Sequence, residues 1–207
     1  LYYERTGQGP TMLFVHGMCG DAAVWADQAR RFAEHHTCVR YDRRGHSRSR
    51  RGDAPISDAL HADDAANLID ALDMAPCLLV GSSSGAAIGV DVALRHGHLL
   101  RGAVFSEPPL FCLDPHAGQA LLRELVPRVD EAMAAGGPEA GVDAFFSFVC
   151  PGLWSIIDEE RRDRYRALAS SAMRANVAAS RTATSARTLR SRITPAALRP
   201  LTRRPYV

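Results

Sequence analysis

The segment Gly81-Ser82-Ser83-Ser84-Gly85 constrains this chain more than any other. It follows Leu78-Leu79-Val80, an apolar run with the signature of a buried parallel strand. It precedes a helical segment of small residues from Ala86 to His96. A chain that goes from strand to helix through G-x-S-x-G must turn sharply at the central serine. Gly81 and Gly85 supply the small flanks such a turn needs, and Gly89 would let the helix lie close to the sheet. The helix begins at the serine, so its free N–H groups and positive dipole end face any anion that forms there. The same five residues also fit an ordinary Gly/Ser turn, and the motif alone does not decide between the two.

A second motif decides it. Thr11-Met12-Leu13-Phe14-Val15 reads as another buried strand and runs into His16-Gly17-Met18-Cys19-Gly20. Asp21 then suits an N-cap for a helix with Trp25, Ala29 and Phe32 on one face. A further strand, Thr37 to Tyr41, leads into Asp42-Arg43-Arg44-Gly45-His46-Ser47-Arg48-Ser49. These three motifs, H-G-x-x-G, Y-D-x-R-G-x-G-x-S and G-x-S-x-G, stand in the order and spacing of the α/β-hydrolase superfamily, which residues 1–111 resemble. Two positions depart from the pattern. Ser47 replaces the usual second glycine of the middle loop, a change not expected to touch the chemistry, and Ser82 stands where many relatives have histidine.

The resemblance implies a mostly parallel sheet flanked by helices, with Ser83 as the nucleophile of an acyl-transfer reaction. It assigns the oxyanion to the backbone N–H groups of Met18 and Ser84, so these residues count by position and not by side chain. His16 is then a loop-ordering residue and not the base. In this superfamily the acid usually follows the seventh strand and the histidine follows the eighth. Both places fall beyond Val207, and no histidine occurs after His116. The reading is therefore of a chain truncated at both ends, lacking the C-terminal strands and inactive as a hydrolase on its own. Glu107, at the end of the candidate sixth strand Gly102–Ser106, is an alternative acid by the same resemblance; a structural role in the Glu107-Pro108-Pro109 turn is preferred. His46, His96 and His98 lie in a loop or at a helix end and are poor candidates for the base.

Serine at the elbow argues against the branches that use a carboxylate nucleophile. The expected reaction is hydrolysis of a carboxylic ester, thioester or lactone. Carbon–carbon bond hydrolases and cofactor-free haloperoxidase-like perhydrolases share these motifs. A different class of function also fits: a non-catalytic ligand-binding protein on the same fold.

Beyond Cys112 the strand–helix alternation gives way to helix. His116–Ala135, Gly141–Val149 and Asp158–Ala179 read as helices, broken at Pro127, at Gly136-Gly137-Pro138 and at Pro151-Gly152. The expected division is a core over 1–112, a helical cap over 113–193, and a return to the core over 194–207 where a seventh strand starts. Phe145, Phe146, Phe148 and Trp154 would pack the cap for the most part, or line a pocket roof. Ser57 to Asp73 reads as an amphipathic helix with Ser57 as N-cap and Leu60, Leu68 and Leu72 on one face.

Composition narrows the partners. All 25 basic residues are arginine, and the net charge is +2. Residues 1–163 carry 15 Arg against 23 acids, whereas 164–207 carry 10 Arg and no acid. These arginines are spread over helix faces without interleaved aromatics, so nucleic acid is not the expected partner. The five cysteines, at 19, 38, 77, 112 and 150, have no C-x-x-C spacing and read as reduced thiols, Cys19 as a small filler beside the oxyanion loop. The eight scattered histidines suggest no metal site, and no cofactor is expected. No hydrophobic run is long enough to span a membrane. A small, partly apolar substrate and a cytoplasmic location are the expectations.

Overall fold

A computed structural model describes residues 1–111 and 113–168. Its sheet is built from Tyr3–Thr6 (β1), Thr11–Val15 (β2), Thr37–Tyr41 (β3), Cys77–Ser82 (β4) and Leu100–Ser106 (β5). The strand order is β1-β3-β2-β4-β5. Only β1 runs antiparallel, against β3; the other neighbours are parallel. The helices are Ala26–Phe32 (α1), Asp58–Ala71 (α2), Ser84–Arg95 (α3), Pro115–Val149 (α4) and Pro151–Ile156 (α5). Residues 159–168 are helical as well.

The apolar run of β2, Met12 to Val15, is continuous because both faces of the sheet are covered there. Strand periodicity sends alternate residues to opposite sides. Leu13 and Val15 join Val39, Tyr41 and Leu79 in a core closed by α2 and α3, through Ile69, Ile88 and Val92. Met12 and Phe14 face the other way, onto Ala29, Cys38 and Trp25. Two middle strands therefore serve two cores at once. β5 has one neighbour in the sheet, β4, among the described residues.

The helix starts follow their caps. Ser57 accepts from the N–H of Leu60 at 3.1 Å and opens α2 as expected. Asp21 accepts from the N–H of Ala23 at 2.9 Å, but it opens a single 3₁₀ turn, Ala22–Trp25, before α1 begins. Of the face expected to be buried there, Ala29 is buried while Phe32 stays 46% exposed. α1 packs along β3, and Phe32 is its last residue.

The helical second half differs from the expectation in two respects. Pro127 does not break α4, which runs on through it. A proline late in a helix removes one hydrogen bond, and this one is tolerated within the run. The change of direction sits at Gly137, whose φ of 78° lies in the left-handed region that favours glycine. Pro151-Gly152 is not a break but a start, with Pro151 in the first turn of α5, where its missing N–H costs nothing. The expected helix over 158–179 is seen through residue 168, with Asp158 accepting from the N–H of Arg161 at 2.8 Å. Its remainder, the cap boundary at 193 and the seventh-strand start lie outside the described residues, as does Cys112. No helix among the described residues is long and apolar enough to cross a membrane.

The helical layer has its own core of Leu125, Val129, Val142 and Trp154, packed with Phe145, Phe146, Phe148 and Tyr165. Trp154 stacks on Phe146 with ring centroids 4.6 Å apart. Packing thus accounts for Trp154 and Phe146, whose rings stack. Met18 and Cys19 belong to the same cluster, so this layer sits directly on the His16–Gly20 loop.

Gly89 fixes the spacing of α3 from the sheet. A Cβ there would come within 2.6 Å of Leu79 Cδ2 and 2.8 Å of Phe105 Cε1. Gly89→Ala should therefore lower stability by about 1–3 kcal/mol, the usual cost of overpacking. A urea melt gives the midpoint shift, and no shift would mean that α3 has slack against β4 and β5.

Candidate active site

Three loops leave the same, C-terminal end of the parallel strands, and they meet. β4 ends at Ser82, which pairs with Ser106 of β5. Ser83 follows with φ 54° and ψ −128°, and α3 begins at Ser84. A non-glycine residue at this conformation is strained by about 1–3 kcal/mol and persists only where its surroundings fix it. They do so here. The Ser83 N–H donates to Ser106 O at 2.9 Å, and the Ser83 carbonyl accepts from the N–H groups of Ala86 and Ala87. A Cβ on Gly81 would come 2.5 Å from Gly85 O, and one on Gly85 would come 2.5 Å from His16 O. The two flanking glycines thus do what the motif requires. Ser83 is left exposed, and its Oγ bonds no group among the described residues.

The loop after β2 lies against the serine. The position of a Cβ on Gly17 is 3.3 Å from Ser83 Cβ and 3.8 Å from Ser83 Oγ. His16 is fully buried. Its Nε2 accepts from the N–H of Arg43 at 3.0 Å, which puts the ring proton on Nδ1, 2.7 Å from Gly17 O. Burial, with Arg43 beside it, holds the imidazole neutral, well below the usual histidine range. His16 is therefore an ordering residue, as expected. The Met18 N–H has no acceptor among the described residues. Ser84, the first residue of α3, has no intrahelical acceptor for its own N–H.

The loop after β3 ties these parts together. Asp42 is completely buried; it accepts from the N–H of Ala22 at 2.8 Å and from Arg48 Nε at 2.7 Å. Burial pushes its carboxyl up, but the Arg48 and backbone bonds outweigh that and hold it below the usual carboxylate range. Arg44 grips Asp64 of α2 with two bonds, at 2.7 and 2.6 Å. Ser47, in place of the usual glycine, takes a φ of 43° in the left-handed region. The loop keeps its course at the cost of some strain at that serine.

Sequence reasoning passed over one group. Arg43 occupies a position of the loop motif that specifies no residue, yet it is only 3% exposed. Its Nη2 lies 3.0 Å from Gly17 O, 3.4 Å from Ser84 Oγ and 3.2 Å from His46 Nε2. His16, His46 and His61 pack edge to face beside it, with ring centroids 5.1 Å from His16 to His46 and 6.0 Å from His46 to His61. Burial, then the Arg43 charge, pushes His46 down to about 4 and His61 down to about 2. Both His46 nitrogens face backbone carbonyls, Nδ1 toward Arg44 O and Nε2 toward Met18 O, and neither reaches Ser83. His96 bonds Asp63 at 3.1 Å. No histidine among the described residues bonds Ser83.

Glu107 follows Ser106 directly, beside the elbow, at a φ of 51° with its side chain exposed. Cys19 is buried, and its thiol is pushed up to about 12 by that burial, so it is an uncharged filler. No group of three or more potential metal ligands occurs among the described residues. An open cleft of about 450 Å³ on the helical layer, lined by Asp143, Ser147, Trp154 and Arg162, touches neither the elbow nor the oxyanion loop.

The strained serine between a parallel strand and a helix, with a glycine loop held against it, decides the family. Residues 10–134 match the family model of the alpha/beta hydrolase fold. The chain belongs to the α/β-hydrolase family. It is 39% identical over 115 residues to YraK, an uncharacterized hydrolase of Bacillus subtilis, covering 55% of this chain and 42% of that protein. It is 35% identical over 104 residues to the 2-(acetamidomethylene)succinate hydrolase of Mesorhizobium japonicum, covering 50% of this chain and 37% of that protein. Among solved structures, an alpha/beta hydrolase from Sphaerobacter thermophilus superposes with a TM-score of 0.67 at 27% identity, over 85% of this chain and 68% of that one. The chain thus spans about two-fifths of the two curated relatives.

The neutral histidines make the fold acid-sensitive. His46 and His61 titrate lower in the folded chain than in the unfolded one, where histidine ionises near 6.5. The unfolded state therefore binds protons that the native state refuses, and stability falls as pH drops below about 6.5. Each such histidine contributes a slope of roughly 1.4 kcal/mol per pH unit down to its folded value. Urea melts between pH 7 and pH 4.5 should show this decline, and His46→Asn should make it shallower.

Proposed function

We propose that the protein is a serine hydrolase that cleaves a carboxylic ester, thioester or lactone through an acyl-enzyme on Ser83. The carrying observation is the backbone of Ser83, strained at φ 54° and exposed at the head of α3. Strain of this kind at an exposed serine, with two N–H donors left over beside it, has no purpose in packing. Ser83 Oγ attacks the acyl carbon, and its proton passes to a histidine base, which hands it on to the leaving group. The carbonyl oxygen becomes an oxyanion between the N–H groups of Met18 and Ser84. Losing one such donor costs a serine hydrolase roughly 10²–10³ in turnover. Collapse of the tetrahedral centre expels the alcohol, thiol or ring oxygen, and water then releases the acid by the same steps in reverse.

Glu107 is the alternative acid for orienting that histidine, placed one residue beyond the strand position paired with Ser82. The substrate is a small molecule with an apolar part. Met18, Phe145 and Phe148, in one cluster above the elbow loop, supply the matching surface, and the helical layer acts as a cap. The acetamido group in the name of the Mesorhizobium relative is itself an acyl compound, in keeping with attack at an acyl carbon.

A fluorophosphonate probe should label Ser83 in the protein of native length. Ser83→Ala should lower turnover of a p-nitrophenyl ester by about 10⁶-fold, the scale for losing a triad serine. Labelling at Ser82 or Ser84 would shift the elbow register and defeat the assignment. The cap reading has a separate test. Phe145→Ala or Phe148→Ala should alter acyl chain-length preference while Ser83 remains labelled. A lowered melting temperature with an unchanged substrate profile would make both rings plain packing.

A further inference from the structure

Arg43 is a buried cation whose hydrogen-bond partners are all neutral, the Asp58 carboxylate acting on it only through space. Its Nη2 donates to Gly17 O and Ser84 Oγ, and its Nε has no acceptor among the described residues. Its neighbour Arg44, by contrast, holds the Asp64 carboxylate. A buried charge with no carboxylate bonded to it costs several kcal/mol. Packing alone would be better served by an apolar side chain of the same length. The position of this charge is informative. It sits on the far side of the Gly17–Met18 peptide from the reacting serine.

That peptide is planar and trans, so its C=O and N–H point in opposite directions. Arg43 Nη2 at 3.0 Å and His16 Nδ1 at 2.7 Å both donate to Gly17 O. With the oxygen held on the buried side, the Met18 N–H has to face the exposed side, where Ser83 stands. The next carbonyl, Met18 O, lies 3.1 Å from His46 Nε2, which fixes the rotation of the following peptide. A cation on a carbonyl oxygen also withdraws electron density through the amide and makes the attached N–H a stronger donor. Arg43 reaches the other proposed donor too, since Ser84 Oγ lies 3.4 Å from it.

We infer that Arg43 is a positioning residue for the oxyanion hole, clamping and polarising the Gly17–Met18 peptide so that the Met18 N–H meets the developing oxyanion. The inference rests on the proposed acyl-enzyme chemistry at Ser83. It adds that the hole is set by a side chain from the loop after β3, and not by the His16–Gly20 loop alone. Interaction with the oxyanion grows as charge develops, so the contribution falls on the transition state and leaves ground-state binding nearly untouched.

The experiment uses the protein of native length with Arg43→Met, Arg43→Lys and Arg43→Gln. Three quantities are read: kcat and KM on p-nitrophenyl acetate, the inhibition constant of a trifluoromethyl ketone, and the melting temperature. The ketone forms a tetrahedral adduct whose oxyanion occupies the hole. Arg43→Met should lower kcat by about 10–100-fold, a fraction of the loss on deleting an oxyanion donor. The ketone should weaken by a similar factor, with KM within about twofold. Arg43→Lys keeps the charge and a donor and should recover part of the loss; Arg43→Gln, with a donor and no charge, should recover less. If Arg43→Met does not fold, the order wild type, Lys, Gln in ketone affinity carries the test. Equal ketone affinity across the folded variants, or a lower melting temperature with unchanged kcat per folded molecule, would overturn the inference while leaving Ser83 in place. Full turnover by Ser83→Ala would remove the proposed chemistry itself, and the inference with it.

Discussion

The organisation of the site depends on one close approach. Gly85, at the head of α3, lies so near the end of β2 that a single methyl group would overlap His16 O at 2.5 Å. That contact brings the first turn of a helix against the loop leaving the neighbouring strand. Ser83 is thereby forced into its strained turn, and Gly17 is placed beside it. Without it the helix would stand off the sheet and the serine could relax. The parallel sheet makes the approach possible, because β2 and β4 are direct neighbours and both release their loops at the same end.

Around this contact the fold uses buried polar groups as struts. Asp42 joins the 3₁₀ turn at Ala22 to the loop that Arg48 closes, and Arg44 fastens that loop to α2 through Asp64. Such networks contribute to stability only when every member is bonded, and the Asp42 and Arg44 networks meet that condition. The neutral histidines and Arg43 form a different kind of layer, whose bonds converge on the carbonyls of Gly17 and Met18. The helical layer adds a third constraint from above, since Met18 and Cys19 are part of its core. The loop that carries a proposed oxyanion donor is therefore held from below by polar bonds and from above by apolar packing.

Much of this was legible in the chain. The β2 and β4 runs were readable because a central parallel strand covered on both faces is apolar along most of its length. Ser57 announced α2, and Gly81 and Gly85 announced the elbow. The second half was less legible. Pro127 is a strong breaker by propensity, yet α4 continues through it, because the packing of Leu125 and Val129 in the helical core outweighs one lost hydrogen bond. Phe32 fits an apolar face by spacing, but at the last position of α1 its ring lies 6.5 Å from that of Phe14 and stays 46% exposed.

The sequence by itself determined the order of strand, turn and helix, the serine at the elbow and the family. These follow from local rules: periodicity, glycine at tight turns, and residue types at fixed short spacing. Only the tertiary structure showed that Arg43 reaches across 26 residues to the carbonyl of Gly17. It alone showed that His46 and His61 are kept neutral, and that Met18 lies between a polar clamp and an aromatic cluster. The physical reason is that burial and proximity of charge are properties of packing. An arginine in a loop motif reads as a solvated side chain until the fold closes over it and removes the water.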